Sequence, residues 1–309
     1  MEEIYGLIDL TSQKPQGHSA TGRTKHPIFC EPDGKARMFK ECGFQYALSE
    51  VFNSKVGQLL GADVAKNEFA IATNDIGMKA RGVASEVFIA EGQSLKLART
   101  VLKFPDTEKD PRLYKFDGTK PDKCFLGLNF EELIKYIDKM TTEEFQKQFA
   151  ENWLFSAFIG KSDSSNSYNV EVIQEENKTD KMAPVFDMES TVLFSDLQRD
   201  YIKSLPITTN IGYMKRSKKF SQSVSNFMEK LKFLDSSQFK DLCDFRGLGK
   251  YVKPDDPREH VIRGINVGAN GLVLSNIDAD TSGLQYASGK AYSDYIWRAK
   301  VMQETYAKA

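Results

Sequence analysis

The chain has 309 residues, 40% of them hydrophobic, and 42 Lys+Arg against 43 Asp+Glu leave a net charge of −1. That apolar share, with 21 Phe and 12 Tyr, excludes a disordered chain, and the near-neutral balance excludes a protein that coats nucleic acid through bulk charge. At roughly 150 residues per domain the length suits two domains or two lobes with room for a buried site.

Cys30, Cys42, Cys124 and Cys243 are too sparse for a disulfide framework and include no CxxC spacing. With only His18, His26 and His260 beside them, no zinc or haem pattern is present, and reduced structural thiols in a cytosolic protein are expected. The N-terminal MEEIYGLIDL is acidic and lacks the basic-then-apolar order of a secretory signal. No window approaches about 18 apolar residues, so no membrane span is expected.

Residues 1–92 read as strand-rich with one helix. HPIFCEP and ARMFKE, separated by Pro32-Asp33-Gly34, predict a hairpin. In QYALSEVFNSKVGQLLG the apolar Ala47, Leu48, Val51, Phe52, Val56, Leu59 and Leu60 fall at helical spacing, with Gly61 as the stop. EFAIAT and ASEVFIAEG predict two more strands, giving β-β-α-β-β.

Beyond residue 93 the pattern turns helical. Asn129 with Glu132 and Thr141 with Glu144 predict capping boxes. Phe145, Phe149, Trp153, Leu154 and Phe158 predict a buried helix ended by Gly160. The polar KSDSSNSY leads to an alternating strand, NVEVI, and after the turn QEENKTDK the stretch APVF is its expected partner, ending at Asp187. The remaining 120 or so residues read as mostly helical, with a basic run at KRSKK and a Gly/Asp-rich stretch near 264–283.

Three features carry chemistry. GHSATGRTKHPIF is a Gly/Ser/Thr-rich loop whose Gly17 and Gly22 permit close approach of the backbone to a phosphate, with Ser19, Thr21 and Lys25 as donors. Lys40 ends a strand and precedes a helix containing Glu50, an arrangement in which a lysine reaches nucleotide phosphates and a helix glutamate holds it. Asp163, Asn169 and Asp187 lie on a loop–strand–turn–strand unit that can gather a carboxylate for an attacking hydroxyl with an amide and a second carboxylate for Mg²⁺. The ordinary alternatives are a surface loop, a strand lysine and a turn aspartate. The chain order of all the features together is that of a kinase.

On these residues the chain resembles the HipA-like kinases, an atypical branch of the protein-kinase fold, and within them the compact CtkA-type effector kinases and split HipT-type toxins. The family's SxxGxxxK loop matches Ser19 to Lys25 in a form one residue shorter, and its strand lysine matches Met38-Phe39-Lys40. "IGxxDxHxxN" matches Ile159-Gly160-Lys161-Ser162-Asp163 followed by Asn169, and "APxYD" matches Ala183-Pro184-Val185-Phe186-Asp187. The interval from Asp163 to Asn169 is one residue longer than the family's, which leaves Asn166 as a competing metal ligand, and Ser165 replaces the usual His or Arg.

The resemblance implies an α+β, two-lobed protein-kinase-like fold, with an N-lobe at 1–92 and a helical C-lobe at 93–309. It implies an ATP- and Mg²⁺-dependent Ser/Thr protein kinase in which Asp163 serves the substrate hydroxyl while Asn169 and Asp187 hold Mg²⁺. Lys40 would pair with the phosphates, with Glu50 or Glu41 as its partner. Gly22 and Ser19 would belong to the phosphate loop, and Ser19, Thr21 and Thr24 are candidate autophosphorylation sites. The adenine would sit against the strand segment Val87-Phe88-Ile89-Ala90-Glu91. A protein substrate is expected, with an antitoxin or host-protein partner in a toxin or effector role, in the cytoplasm or delivered into a host cell. Nucleic acid is not expected as a direct ligand. A phosphatidylinositol kinase and a non-catalytic pseudokinase module are the competing readings. The basic run Lys215-Arg216, Lys218-Lys219 reads as a solvated helix face, with a docking patch as the alternative, and Phe220, Phe227, Met228, Tyr295 and Trp297 as packing residues.

Overall fold

The computed structural model describes residues 4–19, 26–31, 34–74, 77–97, 134–135, 137–139, 141–161, 171–175, 181–188, 205–251, 261–268, 271–278 and 281–309. The capping box expected at Asn129, the loop residues 20–25, and Asp163, Asn166 and Asn169 lie outside them. In chain order the elements are β1 Leu7–Asp9, β2 Gly17–His18, β3 Pro27–Cys30, β4 Ala36–Glu41, α1 Phe44–Leu59, β5 Asn67–Thr73, β6 Lys79–Glu86 and β7 Gln93–Leu97. There follow α2 Glu143–Ile159, β8 Glu171–Glu175, β9 Lys181–Met182, α3 Leu205–Arg216, α4 Ser221–Lys230, α5 Ser237–Leu242, β10 Val261–Gly268, β11 Gly271–Asp278 and α6 Thr281–Lys308. The architecture is the expected mixed one, a β-rich N-terminal sheet and a helical C-terminal part. The chain forms two compact units. The first comprises Met1–Phe88, Phe186–Arg199 and Phe233–Trp297; the second comprises Ile89–Val185, Asp200–Lys232 and Arg298–Ala309.

The first unit is built on a six-stranded sheet ordered β1-β5-β6-β4-β3-β2, with β1 parallel to β5 and the other pairs antiparallel. Side chains alternate across a strand, so each strand serves two faces. One face gathers Leu10, Phe29, Phe39, Ala70, Ala72, Ala80 and Ala84 into a buried cluster. Phe69 of the neighbouring position stacks instead on Phe44 of α1, with ring centroids 6.1 Å apart. Gly82 of β6 is required by close approach: a Cβ there would lie 2.0 Å from the Lys40 carbonyl oxygen.

α1 buries Ala47, Leu48, Val51, Phe52 and Val56. It closes at Gly61 (φ 60), whose N–H bonds the Gln58 carbonyl while that of Ala62 bonds Gly57; a left-handed residue there satisfies the helix's last carbonyls. Phe52 meets both Phe245 and Tyr295 edge-on. Tyr5 packs on Phe69 and Phe245 and donates its hydroxyl to the Leu242 carbonyl. Burial raises the pKa values of Tyr5 and Cys243, so Cys243 is an inert structural thiol.

In the second unit α2 carries the core, burying Phe145, Phe149, Leu154, Phe155 and Phe158, with Phe158 edge-on to Phe227 of α4. Trp153 is half-buried. The helix ends at left-handed Gly160 (φ 77), and the N–H of Lys161 reaches back to the Ser156 carbonyl. Arg298, fully buried, donates to the Ile159 carbonyl at 2.7 Å and the Phe158 carbonyl at 3.4 Å.

Several local expectations are corrected. The cap of α2 is Thr142, which accepts from the Phe145 N–H, while the Thr141 hydroxyl bonds back to Ile137. The last strand of the N-terminal sheet is Lys79–Glu86, so residues 87–91 follow the strand rather than form it. The partner of β8 is Lys181–Met182 rather than APVF, where Pro184 has no N–H to give a ladder. The opposite edge of β8 pairs with β7, a strand in a stretch read as helical. β10 and β11 pair antiparallel, with Gly268 across from Gly271, where glycine content obscured the alternation.

Candidate functional site

The site is assembled in the first unit from three segments: strand β4, helix α1 and residues 186–188. Phe39 points into the apolar cluster, so the next residue, Lys40, projects from the opposite face of the sheet, where α1 lies. Its ammonium stands 3.6 Å from Glu50 Oε1 and 2.7 Å from Asp187 Oδ1. The Lys40 side chain is 20% exposed, Glu50 4% and Asp187 46%. One ammonium therefore serves two carboxylates, of which Asp187 is the more exposed.

Buried charge needs donors as well as a counter-ion. Glu50 Oε2 accepts from Asn67 Nδ2 at 3.1 Å and from the Met188 N–H at 3.0 Å. Asn67 is fixed in turn: its N–H donates to Ser54 Oγ at 3.0 Å and its Oδ1 accepts from Ser85 Oγ at 2.6 Å. The glutamate thus ties the sheet, the helix and the segment after Asp187 together. Asp187 has φ 56, the one left-handed non-glycine among the described residues. Such a backbone costs about 1–3 kcal/mol and persists only where its surroundings over-determine it.

Lys40, Glu50 and Asp187 are the sequence candidates that the fold brings together. Glu41 does not join them: as the neighbour of Lys40 in a strand it is exposed, and it accepts from Asn74 at 3.5 Å. Ser19 closes the base of the glycine-rich loop by bonding His26 in both directions, its N–H donating at 2.8 Å and its Oγ accepting at 3.0 Å. Gly22, Thr21, Thr24, Asp163 and Asn169 lie outside the described residues. Phe88 lies 6.0 Å from the Phe186 ring, centroid to centroid. Of the expected adenine-side main chain, the Val87 N–H already bonds the Ala36 carbonyl and the Ala90 N–H bonds Gln93 Oε1, while Ile89 is half-buried. In the basic run, Lys215 donates to the Tyr306 carbonyl and Lys219 pairs with Asp138 at 2.6 Å.

Sequence reasoning missed Asn67, Ser49 and the Met188 peptide. Their only trace is a polar residue where the apolar pattern wants none, as at the start of NEFAIAT. Among the described residues no group of three or more His, Cys, Asp or Glu could hold a metal ion. Asp187 nonetheless offers what Mg²⁺ takes, a half-exposed carboxylate oxygen.

No family model matches the chain, and no curated protein matches it. Among solved structures it is similar to the Helicobacter pylori proinflammatory kinase CtkA, with a TM-score of 0.52 over 96% of this chain and 98% of that one, at 12% identity. The fold is therefore protein-kinase-like. A lysine on the sheet, a helix glutamate beside it and an aspartate following a short strand stand together within that fold.

Proposed function

We propose that the protein is an ATP- and Mg²⁺-dependent Ser/Thr protein kinase of the HipA-like type. The observation that carries this reading is the bridge from Lys40 to both Glu50 and Asp187, on a kinase-like fold, with Asp187 in a strained backbone. Lys40 binds the α/β-phosphates of ATP, and Glu50 keeps its ammonium oriented. Asp187, with Asn169 or Asn166, would hold Mg²⁺, which would supply charge neutralisation to the phosphates. Asp163 accepts the proton of the substrate hydroxyl as that oxygen bonds to the γ-phosphorus and the bond to the β-phosphate oxygen breaks. Catalysis is then mostly positioning and charge neutralisation.

A protein substrate, an antitoxin or host-protein partner, and a toxin or effector role belong to the same proposal. No helix among the described residues is long and apolar enough to cross a membrane.

The loop hydroxyls Ser19, Thr21 and Thr24 are proposed targets of the protein's own activity. About two negative charges added there repel ATP. Mass spectrometry of protein incubated with Mg·ATP is expected to find phosphate on residues 19–24 and on a basic protein supplied as substrate. Phosphate found only on phosphatidylinositol vesicles supports the lipid-kinase reading, and nucleotide binding without transfer supports the pseudokinase.

A further inference from the structure

Two consecutive residues of α1 grip one residue of the Asp187 segment. Glu50 accepts the Met188 N–H at 3.0 Å, and the Ser49 hydroxyl donates to the Met188 carbonyl at 3.1 Å. Both backbone groups of Met188 are thereby held from the same turn of helix, and its side chain is fully buried. The residue immediately before it is the strained Asp187. A backbone that costs energy by itself is kept by what fixes its flanks.

The Ser49 hydroxyl is itself aimed. Asn53, one turn along α1, donates Nδ2 to the Ser49 carbonyl at 2.8 Å and to Ser49 Oγ at 3.4 Å. Its Oδ1 accepts from the Tyr295 hydroxyl of α6. Asn53 thus donates to the same hydroxyl that gives its hydrogen to the Met188 carbonyl. Tyr295, Asn53, Ser49 and Met188 are all buried, so each bond in the chain acts in a low dielectric and reinforces the next.

We infer that Ser49 is a positioning residue: through the Met188 carbonyl it holds Asp187 in the conformation that presents its carboxylate to the metal on the nucleotide. The inference rests on the kinase reading above and adds to it a residue that touches neither substrate nor metal. Ser49 acts on metal-dependent binding, and Tyr295 sets the orientation of its hydroxyl through Asn53.

The test is calorimetric titration of the full chain with AMP-PNP, once in excess Mg²⁺ and once in EDTA, giving the factor by which metal tightens binding. Ser49→Ala is expected to reduce that factor by about threefold to tenfold, the size of one lost hydrogen bond, without changing affinity in EDTA. Tyr295→Phe keeps the ring packing and is expected to reduce it less, which covers the case of Ser49→Ala failing to fold. Ser288→Ala removes another hydroxyl of the same unit, one that bonds Phe245 and Leu284, and is expected to leave the factor unchanged. A purely structural role for Ser49 lowers the unfolding midpoint without moving the factor. Wild-type factors in both Ser49→Ala and Tyr295→Phe overturn the inference, as does a wild type bound equally well with and without metal. A wild type that binds AMP-PNP in neither condition overturns the kinase reading, and this inference with it.

Discussion

Lys40→Met is expected to lower phosphotransfer by about 10²–10³-fold, the usual effect of removing one preorganised charge from a reacting phosphate or oxyanion. Lys40 is the cation shared by Glu50 and Asp187. The loss should fall chiefly on kcat with a smaller rise in the KM for ATP, because the ammonium matters most as charge shifts toward the leaving phosphate. The fold should survive. Glu50 keeps two donors, Asn67 Nδ2 and the Met188 N–H, and the methionine chain retains the packing of the lysine stem. Steady-state kinetics with a protein substrate, beside circular dichroism of the same sample, reads both halves. A variant within tenfold of wild type contradicts the role given to Lys40.

The second large effect is expected at Arg298. Its side chain is 1% exposed, and it donates to the Ile159 and Phe158 carbonyls, two of the last acceptors of α2. A guanidinium there makes charge-assisted hydrogen bonds and faces the negative end of the helix. Arg298→Ala empties a large volume and leaves buried carbonyls short of a donor, so a loss of about 3–5 kcal/mol is expected in urea unfolding. Arg298→Lys should recover part of it, because one ammonium reaches fewer acceptors than a planar fork. A loss below about 1 kcal/mol would mean that α2 ends stably on the Gly160 turn alone.

What the sequence could reveal follows the range of the physics. α1 and α2 were legible because their apolar positions repeat at helical spacing and each ends in a left-handed glycine, Gly61 and Gly160. The β3–β4 hairpin was legible from Pro32-Asp33-Gly34. β7 was not, since QSLKL is five residues long and pairs with β8, some 75 residues later in the chain. β10 and β11 hid behind their glycines. Within the site, residue types and chain order gave Lys40, Glu50 and Asp187. The choice of Glu50 over Glu41 needed the face of the strand, and the supports at Asn67, Ser49 and Tyr295 needed contacts across 17, 139 and 242 positions. No periodicity encodes contacts of that kind; they exist only once the sheet, α1 and α6 have come together.

The most direct test of the central claim is incubation of purified protein with γ-labelled ATP and Mg²⁺, wild type beside Asp163→Ala and Asp187→Ala. The account predicts label on the protein itself and on a basic protein substrate in the wild type, and loss of that label in both variants. Label that persists in both variants, or a folded wild type that takes up none, would contradict it.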